Sequence, residues 1–275
     1  MNASSSVAEL EAFFGRPLDT VIADADAPAR GRELVSALEA GEARAASPRG
    51  EGSWQANAWV KNGILSIFRL SGLAEFPGWP GGAVDKADFA PRSLSLADGV
   101  RNVAGGSSVR RGARLCPGAV LMPPCFVNVG AWVGAGTMVD SHALVGSCAQ
   151  VGERVHLSAG VQVGGVLEPA GALPVVVEDG CFLGALSGLF EGVVMQAGAV
   201  LAPGVILTAS TVIYDLVEGR EIKGTIPSRA VVVPGARPAR GEWAAARGLS
   251  LYAPCIVKYR DSATDAATAL EEALR

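Results

Sequence analysis

Val127-Asn128-Val129-Gly130-Ala131-Trp132-Val133-Gly134-Ala135-Gly136-Thr137-Met138-Val139 sits inside a run that repeats every six residues. Stepping by six from Val103 lands on Val109, Leu115, Leu121, Val127, Val133, Val139, Val145, Val151, Leu157 and Val163. The register breaks across Leu167 to Pro174 and resumes at Val177, Leu183, Leu189, Met195, Leu201, Leu207 and Ile213. A helix repeats at about 3.6 residues and a strand at about 2, so neither produces a strict six. A hexad repeat is the mark of a parallel β-helix, in which stacked coils bury one continuous core. Three hexads make one triangular coil, so these stops predict roughly six coils. Glycine follows several stops directly, at 134, 146, 152, 164 and 184. Such residues serve corners that need positive φ or close packing between coils.

The flanks read differently. Val7 to Phe14 and Ala29 to Ala46 carry apolar residues at helical spacing, and Asn57 to Leu70 follows as a third helix after a polar turn at Ser47 to Gly52. Ser71 to Pro91, rich in Gly and Pro, reads as loop. Beyond the repeats, Glu218 to Thr225 reads as a hairpin carrying Lys223, and Ile226 to Gly235 as a last strand. Leu249 to Tyr259 is β-rich, and Ala263 to Leu274 reads as an amphipathic helix. The expected organisation is a mainly helical domain over 1–100, the β-helix over 101–235 and a small β-rich extension over 236–275. The fold class is mainly β.

Among 275 residues, 18% charged and 49% hydrophobic side chains leave a large interior and faces that need covering, which implies an oligomer. A net charge of −4 without a basic run argues against nucleic acid as a partner. No apolar run approaches the ~18 residues of a membrane span, and the N-terminus has no signal-peptide pattern, so a cytoplasmic protein is expected. Five scattered cysteines, 116, 125, 148, 181 and 255, read as reduced, buried residues.

Hexad β-helices serve acyl transfer or γ-class carbonic anhydrase chemistry. The latter needs three histidine zinc ligands, and only His142 and His156 exist, so no metal is expected. Longer strings narrow the first branch. Val120-Leu121-Met122-Pro123, Val127-Asn128-Val129-Gly130-Ala131, Gly136-Thr137-Met138-Val139-Asp140, Val145 to Gly152, Val155 to Ser158 and Val163-Gly164-Gly165-Val166-Leu167-Glu168-Pro169 resemble tetrahydrodipicolinate N-succinyltransferases. Trp59-Val60-Lys61, Phe68-Arg69, Ser250-Leu251-Tyr252 and Ile256-Val257-Lys258 extend the likeness over nearly the whole chain from about residue 40.

The resemblance implies left-handed coils, a homotrimer with a site between neighbouring β-helices, and CoA-dependent transfer of a succinyl group to a small amino dicarboxylate in the diaminopimelate route to lysine. It assigns Arg101 to an acceptor carboxylate, for which a guanidinium fork is suited. Asp140 matches the family's catalytic aspartate, also against the substrate, and would assist loss of the amine proton. Two departures stand out. Where the family has Arg-Ser-Glu, with Glu catalytic, this chain has Leu186-Ser187-Gly188, and His142 replaces a Trp. His142 is a candidate base in its place, or fills the Trp space by packing. His156 reads as structural and Glu168 as a loop acid. For acyl-CoA, the candidates are Gly184, Ala185, Ala202, Gly204 and Thr208 along the coils, with Lys223, Arg229 and Lys258 for its phosphates. No Ser or Cys shows a base that would make it a covalent nucleophile. Two alternatives stay open: a paralogue acylating a related amino acid, from acetyl-CoA, in a secondary tabtoxin-type pathway, and an inactive β-helix scaffold or regulatory subunit.

Overall fold

The computed structural model describes residues 3–50 and 52–261. The helix expected at Ala263 to Leu274 lies outside them. Two-residue strands recur every six residues, from Ser108–Val109 to Ile206–Leu207, interrupted once between Gln162–Val163 and Val176–Val177. They stack into three parallel sheets, which form a left-handed β-helix. Sheet 1 begins at Arg114–Leu115 and ends at Thr225–Ile226. Sheet 2 has ten strands and contains Val120–Leu121, Met138–Val139, His156–Leu157, Phe182–Leu183 and Val200–Leu201. Sheet 3 runs from Ser108–Val109 to Ile206–Leu207.

Why six residues close one side of the triangle is visible in the burial. The second residue of each strand points inward, and so does the residue two places earlier, for example Ala131 with Val133 and Ala143 with Val145. The residue between them, such as Trp132 or Leu144, faces out. Strand alternation therefore operates within each hexad, and the corner resets it. Partners lie eighteen residues apart below the break, as in Val133↔Val151, and twenty-six apart across it, as in Leu157↔Leu183. The excursion is thus an insertion that leaves the stacking untouched.

The corners separate two roles that composition had merged. The third residue after a stop has positive φ: Gly130, Gly136, Gly160, Gly198 and Gly204, but also His142, Cys148, Arg154 and Leu186. The glycine immediately after a stop is needed for space instead. A Cβ on Gly134 would collide with the Gly152 carbonyl of the next coil, and one on Gly146 with the Gly165 amide.

Both ends of the repeat depart from the six-residue count. Val103 is not an inward stop; the strand is Arg101–Asn102, paired Asn102↔Leu121, because the chain arrives through the Ser95–Gly99 turn with no coil beneath it to fix register. Ile213 is buried in the core but begins Ile213–Asp215, which forms a hairpin with Arg220–Ile222. Thr225–Ile226 takes the vacated coil position against Val194–Met195. The hairpin therefore precedes Lys223 rather than carrying it. Cys255–Tyr259 enters sheet 2 between Ala230–Val233 and Ile213–Asp215, closing the upper end.

In the N-terminal segment, helices α1 (Ala3–Phe14), α2 (Leu18–Ile22), α3 (Ala27–Ala40) and α4 (Ala58–Leu70) share a second core. Helix α3 stops six residues short of the expected Ala46, at Gly41 with φ 80°, a left-handed C-cap that ends the helix. Most of the turn expected at Ser47–Gly52 is strand instead, Ala46–Gly50 pairing with Ser53–Ala56, and the expected loop from Ser71 contains the pair Leu73–Glu75 and Val84–Lys86. Val129 and Cys148, from corners of the coils, complete this core, so the segment is bolted to the solenoid. Buried Lys61 of α4 donates from Nζ to the Ala172 carbonyl and holds the excursion loop.

Gly134→Ala should lower the denaturant midpoint by an amount equivalent to about 1–3 kcal/mol, since two backbones would have to part. Leu186→Gly, at a left-handed corner, should raise it by about 1 kcal/mol. Equal effects of opposite expectation in urea titrations would refute this division of roles.

Candidate active site

The corner joining sheet 2 to sheet 3 collects most of the expected residues on one edge. Its rungs are Met122 to Pro124, Asp140 to His142, Ser158 to Gly160, Gly184 to Leu186 and Ala202 to Gly204. Asp140 follows the inward Val139 and is half-buried. Its Oδ1 accepts the Ser141 amide at 2.7 Å, which fixes the carboxyl at the corner; among the described residues Oδ2 accepts nothing. This is the turn-capping habit of aspartate, and it leaves one oxygen facing outward. Arg101 lies exposed on the same sheet two rungs below, about 10 Å along the stack. Among the described residues its guanidinium has one hydrogen-bond contact, to the Met122 sulfur at 3.8 Å, so it remains open to an anion.

His142 sits on the Asp140 corner with φ 62°, exposed rather than packed. Its amide donates to Pro124 O and its carbonyl accepts Gln162 Nε2 at 3.3 Å. His156 faces outward on sheet 2 against Phe182, with ring centroids 5.1 Å apart. Gly184, Ala185, Ala202 and Gly204 stack above Asp140. The amides of Gly184, Ala202 and Gly204 are spent on rung hydrogen bonds, whereas among the described residues the Ala185 N–H and Gly204 C=O have no partner.

Thr208 does not join them. It lies after Leu207, at the next corner, and its hydroxyl contacts Ser210 and Thr211. The three cations also lie apart: Lys223 leads into sheet 1, Arg229 occupies the corner after Ile226 with φ 61°, and Lys258 pairs with Val231 at the top of sheet 2. Lys258 alone is on the sheet that borders the small-residue edge.

Sheet 3 holds a second feature, which the sequence reading missed. A cleft of about 680 Å³ opens there, lined by Leu144, Gly164, Val166, Leu167, Glu168 and Phe190 among others. Gly188, the residue standing where a catalytic Glu is expected, is buried beneath the Phe190 ring. A Cβ at Gly188 would come 2.7 Å from that ring, and one at Gly164 would also meet it at 2.7 Å. Gly164 and Gly188 thus form a seat for Phe190, and an aromatic face occupies the ground of the absent carboxylate. The available signal was Phe190 directly after the stop Leu189, at the place that Gly146 and Gly164 hold on the two rungs below. Glu168 borders this cleft, and its loop is the one pinned by Lys61.

The thiols stay out of the chemistry. Burial pushes Cys148 and Cys181 up to about 12, so neither supplies a thiolate.

Coils of this kind, with an edge of small residues beside one carboxylate and one guanidinium, define an acyltransferase of the hexad-repeat class. Residues 11–70 match the family described as tetrahydrodipicolinate N-succinyltransferase N-terminal. The 2,3,4,5-tetrahydropyridine-2,6-dicarboxylate N-succinyltransferase of Afipia carboxidovorans is 45% identical over 86% of this chain and 86% of its own length. The enzyme of the same name from Methylobacterium nodulans is 48% identical over 89% of this chain and 90% of its own. A crystal structure of a putative 2,3,4,5-tetrahydropyridine-2-carboxylate N-succinyltransferase from Campylobacter jejuni shares the fold, with a TM-score of 0.52 at 18% identity. The match covers 81% of this chain and only 61% of that one, so the present chain spans about three fifths of its length. The chain belongs to the 2,3,4,5-tetrahydropyridine-2,6-dicarboxylate N-succinyltransferase family.

Gly188→Glu alone should destabilise the protein, since its Cβ meets Phe190 in a packed site, by about 1–3 kcal/mol. Combining it with Phe190→Ala should recover most of that loss. Additive effects of the two changes in a thermal double-mutant cycle would show that the ring does not occupy the Gly188 seat.

Proposed function

We propose that this chain transfers the succinyl group of succinyl-CoA to the nitrogen of tetrahydrodipicolinate, with uptake of one water by its C=N bond, on the diaminopimelate route to lysine. The observation that carries the reading is the Asp140 carboxyl, anchored through one oxygen and open through the other, between Arg101 below and the small-residue edge above. Family membership supplies the acyl donor and the acceptor.

The residues have distinct tasks. Arg101 holds an acceptor carboxylate through its open fork. The small side chains of Gly184, Ala185, Ala202 and Gly204 let the pantetheine arm lie close to the coils, where the Ala185 N–H and Gly204 C=O are free to pair with its amides. Lys258 is the cation best placed for a CoA phosphate on this edge; Lys223 and Arg229 lie off it. Water first adds across the C=N bond of the acceptor, so that its nitrogen carries a hydrogen; that nitrogen attacks the thioester carbonyl, forming the C–N bond through a tetrahedral intermediate. The amine proton passes to Oδ2 of Asp140, the C–S bond breaks, and the CoA sulfur leaves with that proton. His142, exposed on the same corner, is a second holder of the proton. No covalent acyl-enzyme is required. The functional unit in this reading is a cytoplasmic homotrimer, with Leu186 and Ile206, exposed on this side of the coils, facing the neighbouring copy. Among the described residues no helix is long and apolar enough to cross a membrane.

Phe190 over Gly188 favours one second reading: the same transfer onto an amino acid that presents an apolar group to the sheet 3 cleft, as a paralogue with a changed acceptor would perform. An acceptor screen with succinyl-CoA and acetyl-CoA, followed by thiol release, separates the two. Turnover of tetrahydrodipicolinate at least tenfold better than of any apolar amino acid supports the first reading; the reverse order supports the second.

Asp140→Asn should lower kcat by about 10²-fold or more with little change in KM, as expected for loss of a proton acceptor. Arg101→Gln should instead raise the acceptor KM by about tenfold or more. Undiminished turnover by the Asp140 variant would remove its assigned role.

A further inference from the structure

A cavity of about 350 Å³ lies on the opposite side of the coils from the Asp140 edge, between sheet 1 and the hairpin formed by Ala46–Gly50 and Ser53–Ala56. Arg44 enters it, held by three contacts. Its Nε donates to Gln150 Oε1 at 2.7 Å, and its guanidinium lies 4.1 Å above the Trp132 ring and 5.3 Å from that of Trp54. Each holder is itself fixed: Gln150 Nε2 donates to Cys148 O at 2.9 Å, and Trp54 Nε1 to Glu178 Oε1 at 2.8 Å.

What Arg44 lacks is a direct ion pair. Among the described residues no carboxylate lies within 4.0 Å of it, Asp179 acting only from farther off, and its two terminal nitrogens donate to no protein acceptor. Burial works against its charge, lowering its pKa. A half-buried guanidinium fixed between two indoles at the wall of a cavity is preorganised for a planar bidentate anion.

The rest of the lining restricts which anion. Glu178 spends both oxygens, on Trp54 and on the Ala197 amide at 2.9 Å. Asp179 accepts the Glu153 amide at 2.7 Å through Oδ1, and among the described residues its other oxygen has no partner. A phosphate or a dicarboxylate would meet these acids at close range. A single carboxylate carrying an ammonium group pairs with both signs, its carboxylate on Arg44 and its ammonium on Asp179. Trp54 and Trp132 give its side chain an apolar wall.

We propose that this cavity is a binding site for a free α-amino acid, separate from the acyl-transfer edge. Nothing in the proposed reaction uses Arg44, so the site stands or falls independently of the function assigned above.

The test is a thermal-shift and calorimetric titration of the full-length protein with the proteinogenic amino acids, each up to the order of 10 mM. The decarboxylated amine and the N-acetyl derivative of every hit serve as controls. At least one amino acid should raise Tm saturably, and neither control should match it. Arg44→Lys, which keeps the charge and the stem, should weaken binding by about tenfold or more by removing the bidentate fork. Asp179→Asn should weaken the amino acid but not its des-amino carboxylate. Arg101→Gln should leave binding unchanged, which separates this cavity from the acceptor site. The absence of any saturable shift overturns the proposal. So does a shift that survives Arg44→Lys intact, or one abolished by Arg101→Gln. Circular dichroism on each variant confirms that the coils are formed before binding is compared.

Discussion

Each coil must lie directly on the one below, with backbone hydrogen bonds running along the axis, and every other property of this molecule answers to that demand. The constraint explains why an aliphatic residue returns every sixth place and why the position two before it is small. It also explains why the next residue is so often glycine. At Gly134 and Gly146 that position faces the backbone of the following coil, and a single carbon there would push two rungs apart. The chain accepts strain elsewhere to preserve the stacking. His142, Cys148, Arg154 and Leu186 all adopt left-handed backbone angles at corners where glycine would be easier.

Stacking also decides what the site can be. Residues eighteen or twenty-six apart become vertical neighbours, so an edge of the triangle is a ladder of corner side chains. Asp140, Ser158, Gly184 and Ala202 occupy equivalent places on successive rungs. The ladder supplies both a reactive carboxyl and a smooth track beside it. The excursion from Leu167 to Pro174 adds a wall to the neighbouring sheet without disturbing the count. Its anchor is Lys61, a buried cation that draws a carbonyl across from the N-terminal helices. The helical segment and the cleft are thereby joined, through this hydrogen bond and through Leu167, which packs against the helical core.

Much of this was legible before any coordinates, and the boundary of legibility has a physical cause. The inward stops from Val109 to Leu207 were readable because core burial follows sequence period directly. Val103 and Ile213 misled because the first and last coils lack a neighbour on one side, so period no longer dictates register. The placement of Asp140 beside Gly184 and Ala202 followed from the hexad count. The separation of Thr208, Lys223 and Arg229 from that edge followed from the same count but needed the corners to be assigned to particular sides. Phe190 could not be read in the same way, because its ring lies across two glycines that are distant in sequence, Gly164 and Gly188. Arg44 was equally hidden: of its two indole partners, Trp132 comes from the coils and Trp54 from a hairpin that composition presented as a turn.

The seat beneath Phe190 couples two positions that the chain treats as one. A side chain at 188 and an aromatic ring at 190 compete for the same space, since a Cβ at Gly188 would come 2.7 Å from that ring. An acid introduced at 188 by a single substitution meets the ring, so two coordinated changes are needed to seat it. The apolar wall of the cleft is thus held by a pair of residues, and neither can be exchanged without regard to the other.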